Sequence, residues 1–433
     1  MLNMRHALRE ILSAALMAAD PGAAVRRFLH VEGRMIIVGD QSIAARRVVV
    51  LAVVKAAVAM ARVALDVLGD RAGDGLVVTK RGYEAGGALP DHLGIIVAGH
   101  PVPDEGSLAA ARRVARLAGG LGEDNLLLAL VSGGASALLA DPAGEIALED
   151  LSRLSEDLLR SGASIGEMNT VRKHLSTLKG GGLARLAYPA RVAALLLSDV
   201  VGDDASTIGS GPTVPDPTTL ADVTAALGRY DIVPPEPIAR YLQTAPETLK
   251  PGDPVFERVT SMVIGSGRLS AEAAAVKARE LGYTPLILST LLTGPAREVA
   301  RFHAAVIREI LQSGHPLPAP CALISGGEAT VVVRGEGKGG PNQEFALALA
   351  VELAGIENWA ALAVDTDGTD GPTDAAGGLV SGTTAAAIRV DGIDPVAALE
   401  ANDAYNALRA GGALLATGPT GTNVNDLRVV LID

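Results

Sequence analysis

The feature that most constrains this chain is the alternation of short apolar runs with longer stretches rich in alanine and leucine. The apolar runs include residues 48–54 (VVVLAVV) and 192–197 (VAALLL). Continuous apolar runs are typical of strands buried on both faces, and the stretches between them have the length of helices. The pattern therefore predicts an α/β protein with mainly parallel sheets covered by helices.

A change of composition near residue 250 indicates a domain boundary. Residues 213–256 contain eight of the 24 prolines of the chain. They are followed by a segment, ERVTSMVIGSG, that we interpret as the start of a new strand–turn–helix unit. Because 433 residues exceed the size at which one hydrophobic core stops growing, we expect two domains, residues 1–250 and 251–433.

Charge and cysteine content restrict the partners and the compartment. The net charge of −12 argues against a nucleic acid partner or an anionic membrane surface. The single cysteine, Cys321, excludes an intramolecular disulfide and fits a reducing compartment. The longest apolar stretch, around residues 48–66, is interrupted by Lys55 and Arg62 and is too short to span a bilayer. We therefore expect a soluble cytoplasmic protein.

The loop at residues 198–219 (SDVVGDDASTIGSGPTVPDPTT) follows the predicted strand 192–197. Open α/β sheets bind ligands at the carboxyl ends of their strands. Three carboxylates, Asp199, Asp203 and Asp204, stand in this loop among small hydroxyl residues. Such a group can hold Mg²⁺ or activate an alcohol. The alternative is a solvated turn with capping Asp and Ser residues.

A second candidate ligand loop is LVSGGASALL at residues 130–139. A strand, a Ser-Gly-Gly turn and a helix start form an arrangement in which backbone N–H groups can cradle an anion. The spacing does not fit GxxxxGK[ST], so this is not a P-loop. The alternative is a helix-capping turn without a ligand. The candidate contacts to a phosphate or carboxylate are Ser132, Gly133, Gly134 and Ser136.

Two cations are candidates for binding anions. Lys55 follows the predicted strand 48–54 and begins a helix, so its ammonium could bridge phosphate oxygens. Its alternative is a surface lysine on an amphipathic helix. Asn169 or Thr170 is predicted to cap a helix with Arg172 in its first turn, where a cation opposes the helix dipole unless an anion is near. Arg172 could clamp a carboxylate bidentately; its alternative is a solvated charged face.

The C-terminal half offers a Gly-rich loop and an acidic loop. GEGKGGPNQEFALALA (335–350) precedes a predicted helix and is a candidate nucleotide-phosphate loop. DTDGTDGPTDAAGG (365–378) fails the EF-hand pattern, because Asp370 and Ala376 stand where Gly and Glu are required. Its aspartates, Asp367 among them, are candidate ribose acceptors or Mg²⁺-side ligands, with a plain acidic turn as the alternative. The candidate nucleotide contacts are Lys338, Gly339, Gly340, Asn342 and Asp367.

One motif keeps a dehydrogenase open as an alternative. VIGSGRLSAEAAAV (263–276) resembles a dinucleotide fingerprint, but Ser270 replaces its third glycine. The next predicted strand (TPLILST, 284–290) ends in Ser and Thr rather than in the acidic residue that binds an adenosine ribose. A non-catalytic protein that binds a sugar acid or sugar phosphate is a further alternative.

Taken together, the motifs resemble the class II glycerate kinases, the family whose C-terminal half is called the MOFRL domain. The resemblance runs through nearly the whole chain in the order of the family. The segments that carry it are VVTKRGYEAGG (77–87), AGHPVPDEGS (98–107), LVSGGASALL (130–139), GASIGEMNTVRKHLSTLKGG (162–181), SDVVGDDASTIGSGPTVPDPTT (198–219), LISGGEATVVVRG (323–335), GGPNQEFALALA (339–350), DTDGTDG (365–371), ANDAY (401–405) and TGPTGTNVNDLR (417–428).

The resemblance implies two α/β domains with the active site in the cleft between them. It also implies transfer of the ATP γ-phosphate to the 2-hydroxyl of D-glycerate, with Mg²⁺ as cofactor and a homodimer left open. We assign Asp199 to orient or deprotonate the hydroxyl, and Asp203 or Asp204 to help it hold Mg²⁺. Lys55 would stabilise the transferring phosphoryl group, and Arg172 would bind the glycerate carboxylate.

The chain departs from the family pattern at three positions. Val54 precedes the lysine where the family usually has glycine. Pro341 and Gly421 stand where the family commonly has arginine. Either Lys338 and Arg428 replace those cations, or the phosphate donor or acceptor differs.

Overall fold

The computed structural model of the protein describes residues 2–53, 56–83, 89–90, 92–100 and 102–433. The chain divides into two compact units. The first unit is Pro21–Ile264, and the second combines Gly265–Asp433 with the N-terminal segment that ends at Asp20. Each unit contains one six-stranded sheet.

The strands in chain order are β1 (Leu29–Glu32), β2 (Met35–Val38), β3 (Gln41–Ala44), β4 (Arg47–Val53), β5 (Ala72–Lys80), β6 (Leu93–Ala98), β7 (Asn125–Ser132), β8 (Arg191–Leu197), β9 (Val259–Gly265), β10 (Thr284–Pro295), β11 (Cys321–Thr330), β12 (Trp359–Asp365), β13 (Gly377–Ser381), β14 (Leu414–Leu415) and β15 (Asp426–Ile432). The helices are α1 (Leu2–Ala18), α2 (Pro21–Phe28), α3 (Ala57–Leu68), α4 (Glu105–Gly119), α5 (Ala135–Leu138), α6 (Leu148–Arg160), α7 (Ile165–His174), α8 (Gly182–Ala187), α9 (Leu220–Arg229), α10 (Glu236–Thr244), α11 (Gly267–Glu280), α12 (Ala296–Ser313), α13 (Pro341–Glu352), α14 (Thr384–Val390), α15 (Pro395–Glu400) and α16 (Ala404–Ala410).

The sheet of the first unit has the strand order β6-β5-β4-β7-β8-β9. The pairs β4–β5, β4–β7, β5–β6 and β7–β8 are parallel. Successive residues of β7 enter different hydrophobic clusters, with Leu126 and Leu128 in one and Leu127 and Ala129 in the other. The sheet is therefore covered on both faces, as its apolar runs predict. An antiparallel sheet of β1, β2 and β3 and a helical cluster of α6, α7, α9 and α10 belong to the same unit.

The sheet of the second unit has the order β10-β11-β15-β12-β13-β14. β10 and β11 are parallel, whereas β15 runs antiparallel to both of its neighbours, β11 and β12. Helix α13 is buried on every side from Asn342 to Ala350. A helix with no exposed face must be covered by other elements, and α12 and α16 pack against it. The predicted α/β class is thus confirmed, with antiparallel strands added to the second sheet.

The two units do not follow the predicted division at residue 250. Strand β9, expected to begin the second domain, is the edge strand of the first sheet. Helix α1, expected in the first domain, packs in the second unit, where Leu8 and Ile11 join Ala271 and Ala274 of α11. The apolar stripe of α1 needs a covering partner, and the small alanines of α11 allow close approach of the two helices. Among the described residues, no helix combines the length and apolar character needed to cross a bilayer.

Candidate active site

The carboxyl edge of the first sheet brings two predicted site residues into contact. Ser132 ends β7 and is paired with Leu197, the last residue of the neighbouring β8. The loops that follow these strands therefore begin side by side. A β-carbon on Gly133 would lie 1.5 Å from Oδ2 of Asp199. The carboxylate of Asp199 thus occupies the space that any other residue at position 133 would need for its side chain.

A third side chain reaches this loop from the far side of the sheet. His100 follows β6, which is separated from β7 by β5 and β4, a distance of about 14 Å at the usual strand spacing. Nevertheless, a β-carbon on Gly134 would lie 2.7 Å from Nε2 of His100. Gly134 has a φ of 82°, in the left-handed region that favours glycine. His100 was not among the predicted site residues, although its position just after a strand was a usable signal.

Asp104 holds Gly99, the residue before His100, and the start of helix α4. Oδ1 of Asp104 accepts hydrogen bonds from the N–H groups of Gly99 (2.8 Å) and Ser107 (3.0 Å). The first bond anchors the residue before His100, and the second caps helix α4. Burial alone would raise the pKa of Asp104, but these hydrogen bonds outweigh it and lower the pKa.

The predicted anion loop has unused backbone donors. Within the described part of the chain, the N–H groups of Gly133 and Gly134 have no hydrogen-bond partner. The hydroxyl of Ser136 lies 2.8 Å from that of Ser210. Helix α5 has only four residues, so its dipole adds little to the binding of an anion. The donors of the glycine turn itself, rather than the helix, support the prediction.

Helix α7 begins earlier than predicted. Ser164 is its cap: its hydroxyl accepts the N–H of Glu167 (3.3 Å), and the Glu167 carboxylate accepts the N–H of Ser164 (2.9 Å). Hydrogen bonds from the Ser164 hydroxyl and amide and from Tyr230 lower the pKa of Glu167 to about 2. Asn169 and Thr170 are buried inside the helix rather than capping it. Arg172 consequently lies in the last turn, where the dipole stabilises a cation, so the predicted conflict does not exist.

Arg172 is nevertheless set apart from its basic neighbours. Lys173 is buried with Nζ 2.6 Å from Oδ1 of Asp216, and Nε2 of His174 lies 3.3 Å from a carboxylate oxygen of Glu247. Arg172 is half-buried, and within the described residues its guanidinium has neither an ion pair nor a hydrogen bond. Burial lowers the pKa of Arg172, but a guanidinium stays charged at neutral pH. An unpaired, partly desolvated guanidinium suits an anionic ligand.

The three carboxylates of the 198–219 loop have different environments. Asp204 accepts hydrogen bonds from the Ser206 amide (3.0 Å), the Ser206 hydroxyl (2.8 Å) and the Thr207 hydroxyl (2.8 Å). Burial opposes its ionisation, but these bonds outweigh burial and lower its pKa. Among the described residues, no three Asp, Glu, His or Cys side chains are placed to hold a metal ion, so the trio with Asp199 and Asp203 is not a preformed site. Mg²⁺ bound through substrate phosphates needs only one or two protein carboxylates, which Asp199 could supply.

In the second unit, four N–H groups at the start of the predicted phosphate loop are already bonded. They donate to the segment 401–403, which lies beside the loop. The bonds are Arg334 and Gly335 to Asn402 Oδ1 (2.7 and 2.9 Å), Gly337 to Ala401 O (2.9 Å) and Lys338 to Asp403 Oδ1 (3.0 Å). A phosphate cradle needs free N–H groups, so these four cannot form one, and the nucleotide contacts at Gly339 and Gly340 stay a prediction. The exposed Lys338 ammonium, 4.2 Å from the centre of the Tyr405 ring, is the part that could reach a ligand.

The start of helix α13 is occupied by a carboxylate of the protein itself. Asp370 is fully buried and accepts the N–H groups of Asn342 (3.0 Å) and Gln343 (2.8 Å). A β-carbon on Gly340 would lie 2.4 Å from the Asp370 carboxyl carbon. Burial is the largest influence on Asp370 and raises its pKa to about 6 despite these bonds. Asn342, predicted to contact a nucleotide, is fully buried and instead holds Asp370.

Further acidic groups surround this cap. Asp365 ends β12 opposite Asp426 of β15. Burial, and then the charge of Asp367, raise the pKa of Asp365 to about 8. Asp426 Oδ1 accepts a hydrogen bond from Nδ2 of Asn342 (2.6 Å). The second unit therefore buries more negative than positive charge at this edge.

Arg428 cannot replace the missing arginines of the family. It is fully buried and pairs with Asp426 at 2.5 Å. Its guanidinium lies over the ring of Phe345, 5.2 Å from the ring centre. A phosphate donor in solvent has no access to it. Arg428 therefore cannot supply the positive charge that the family commonly has at the positions of Pro341 and Gly421.

The dinucleotide fingerprint is not part of a dinucleotide-binding fold. Strand β9 belongs to the first sheet and β10 to the second, whereas the fingerprint requires two strands of one sheet joined by the helix. Ser270 donates its hydroxyl to Ala15 O of α1 (3.2 Å), which explains the small residue at this position by helix packing. The reductase alternative thereby loses its motif.

The structure thus groups Ser132, Gly133, Gly134, Ser136 and Asp199 in the first unit, and Lys338, Gly339, Gly340, Asn342 and Asp367 in the second. Lys55 lies outside the described residues, so its role stays a prediction. Asp367 accepts the N–H of Thr369 (2.8 Å), as in an acidic turn.

Known proteins match the chain over its whole length. A family model described as "Domain of unknown function (DUF4147)" matches residues 7–243, and the MOFRL family model matches residues 321–426. A D-glycerate 2-kinase of Thermotoga maritima is 47% identical over 89% of this chain and 91% of its own length. A relative from Agrobacterium vitis, named provisionally as a hydroxypyruvate reductase, is 45% identical over 100% of this chain and 95% of its own. The crystal structure of a glycerate kinase of Thermotoga maritima superimposes with a TM-score of 0.90 at 42% identity, covering 100% of both chains. The chain therefore belongs to the class II glycerate kinase family.

Proposed function

We propose that the protein transfers the γ-phosphate of ATP to the 2-hydroxyl of D-glycerate, giving 2-phosphoglycerate and ADP. The observation that carries the proposal is the contact of the Asp199 carboxylate with a glycine turn whose N–H groups have no partner among the described residues. A carboxylate beside anion-binding donors suits an alcohol that must lose its proton while it meets a phosphoryl group.

In this reaction the 2-hydroxyl oxygen attacks the γ-phosphorus, and the bond to the oxygen that bridges the β- and γ-phosphates breaks. Asp199 orients the hydroxyl and accepts its proton. Arg172 binds the glycerate carboxylate with its half-buried guanidinium. Lys55 stabilises the charge of the transferring phosphoryl group. The protein mainly positions its substrates and neutralises charge, since little covalent chemistry is required of it.

When bound, Mg²⁺ neutralises phosphate charge, and Asp199 is the carboxylate we propose to contact it, with Asp203 as a second candidate. In the second unit we propose that the nucleotide meets the Lys338 ammonium and Asp367 rather than the four N–H groups of this segment that are already bonded, those of Arg334, Gly335, Gly337 and Lys338. Gly339 is kept as a proposed nucleotide contact, whereas Asp370 fills the space beside Gly340.

We also propose a cytoplasmic location and small-molecule partners, with a homodimer as an open prediction. Cys321 is fully buried, which fits a protein that needs no disulfide.

The test is a turnover assay with D-glycerate, ATP and Mg²⁺, in which ³¹P NMR distinguishes 2- from 3-phosphoglycerate. A parallel assay supplies hydroxypyruvate with NADH or NADPH, because one relative is named for that activity. Formation of 2-phosphoglycerate without oxidation of the nicotinamide supports the proposal. Oxidation of the nicotinamide without a phosphorylated product refutes it. Lys55→Ala should lower kcat more than it raises KM, and near-normal turnover of that variant would remove Lys55 from the mechanism.

A further inference from the structure

We infer that His100 is a catalytic residue that donates a hydrogen bond from Nε2 to the phosphoryl group during its transfer. The inference rests on the proposed kinase function. It adds a phosphoryl-binding side chain that was not among the predicted site residues.

The first support is the position of the two side chains on the glycine turn. The contacts of Asp199 and His100 fall on successive residues, Gly133 and Gly134. Both side chains therefore border the same short turn. In each case the absence of a β-carbon is what allows the approach, so a larger residue would displace the functional group.

The second support is the chemistry of the turn. The N–H groups of Gly133 and Gly134 have no partner within the described residues, so the turn presents donors. A negative group beside such donors is stabilised, which makes the turn a place for phosphoryl oxygens. Asp199 is itself negative, and its contact with the substrate is better made through the neutral hydroxyl. His100 can donate, so it suits the phosphoryl oxygens.

The third support is the way the loop is held. The Asp104 carboxylate binds the Gly99 N–H on one side of His100 and caps α4 on the other. A connection from β6 to α4 does not by itself require a side chain that extends past β5 and β4 to Gly134, as that of His100 does. A donor acts best on a transition state when its position is fixed in advance, and the bond to Gly99 anchors the residue before His100.

The experiment compares His100→Ala, His100→Gln and wild type in the glycerate and ATP assay. We expect His100→Ala to lower kcat by about 10²- to 10³-fold, the usual effect of removing one donor to a transition-state anion. KM for D-glycerate should change less than about threefold, because the lost bond forms with the phosphoryl group. His100→Gln keeps an N–H donor and should recover at least about tenfold of the loss.

Two further measurements separate donation from other roles. His100→Ala should bind ADP with fluoroaluminate and glycerate, a mimic of the transferring phosphoryl group, more weakly by the same factor as its loss of kcat. Its affinity for ADP alone should not change. The fall of kcat at low pH, the acid limb of the profile, should persist in His100→Gln. If His100 were the general base, replacing it would abolish that limb. The exposed His92, which precedes β6, provides the matched control, and His92→Ala should behave as wild type.

Each of these measurements can overturn the inference. Three results would overturn the inference and leave the kinase function standing. They are an active wild type with an equally active His100→Ala variant, a change in KM alone in His100→Ala, and loss of the acid limb of the kcat profile in His100→Gln. A lower melting temperature that accounts for the lost activity would also overturn it, since His100 would then serve only packing. Wild-type protein without glycerate kinase activity would overturn the proposed function and this inference together.

Discussion

The carboxylate of Asp199 lies against the α-carbon of Gly133, so close that a β-carbon there would come within 1.5 Å of Oδ2. The φ of Gly133 lies outside the left-handed region, so its glycine is not explained by backbone conformation. The space for Asp199 is the remaining reason for it. This contact provides a way to move Asp199 without removing it.

Gly133→Ala should therefore lower kcat by at least about 10²-fold, because the new methyl group pushes the carboxylate away from the hydroxyl it acts on. Steady-state kinetics together with a thermal melt measures the effect. Gly228→Ala is the matched control: Gly228 also lies outside the left-handed region, in α9, and a β-carbon there meets no atom within 4 Å. Full activity in Gly133→Ala would mean that Asp199 has no role in catalysis.

Arg172→Ala should raise KM for D-glycerate about 10- to 100-fold, the range expected for losing a charged hydrogen bond. The kcat should change less. Arg172→Lys should restore only part of the affinity, because an ammonium cannot form the bidentate pair. The control is Arg160→Ala, which removes an exposed guanidinium that pairs with Glu156 at 3.0 Å. An increase in KM for ATP instead of glycerate would assign Arg172 to the nucleotide.

Lys173→Met should lower the free energy of unfolding by about 3–5 kcal/mol, because it leaves the buried Asp216 without its cation. Urea denaturation measures this change. The double variant Lys173→Met/Asp216→Asn removes the orphaned charge and should be more stable than the single variant. A single variant within about 1 kcal/mol of wild type would show that the pair contributes little to stability.

Asp365→Asn should stabilise the protein increasingly as the pH rises. Burial and the charge of Asp367 raise the native pKa of Asp365 to about 8, whereas an unfolded aspartate has a pKa of about 3.9. Between these values the native state binds more protons than the unfolded state, so wild-type stability falls with increasing pH. The melting-temperature difference between variant and wild type should therefore grow from pH 5 to pH 9.

The control for this experiment is Asp391→Asn, at an exposed position after α14. It measures what the same exchange does at an exposed position. A melting-temperature difference that is no more pH-dependent for Asp365→Asn than for this control would show that burial does not raise the pKa of Asp365.

The sequence by itself determined the features that depend on neighbouring residues. Continuous apolar runs were enough to predict the parallel strands β7 and β8, and the rule that ligands bind at strand ends led to Ser132 and Asp199. The capping box of Ser164 and Glu167 was equally local, and reading it would have placed Arg172 in the last turn.

Only the tertiary structure decided the features that join distant parts of the chain. Nothing near His100 indicates that its loop passes β5 and β4 to meet Gly134, and nothing near Asp370 indicates that it occupies the start of α13. The same is true of α1, whose partner α11 follows more than two hundred residues later. Local patterns fix which backbone segments form, but the contacts of loops and ends depend on which surfaces remain uncovered when the sheets are packed.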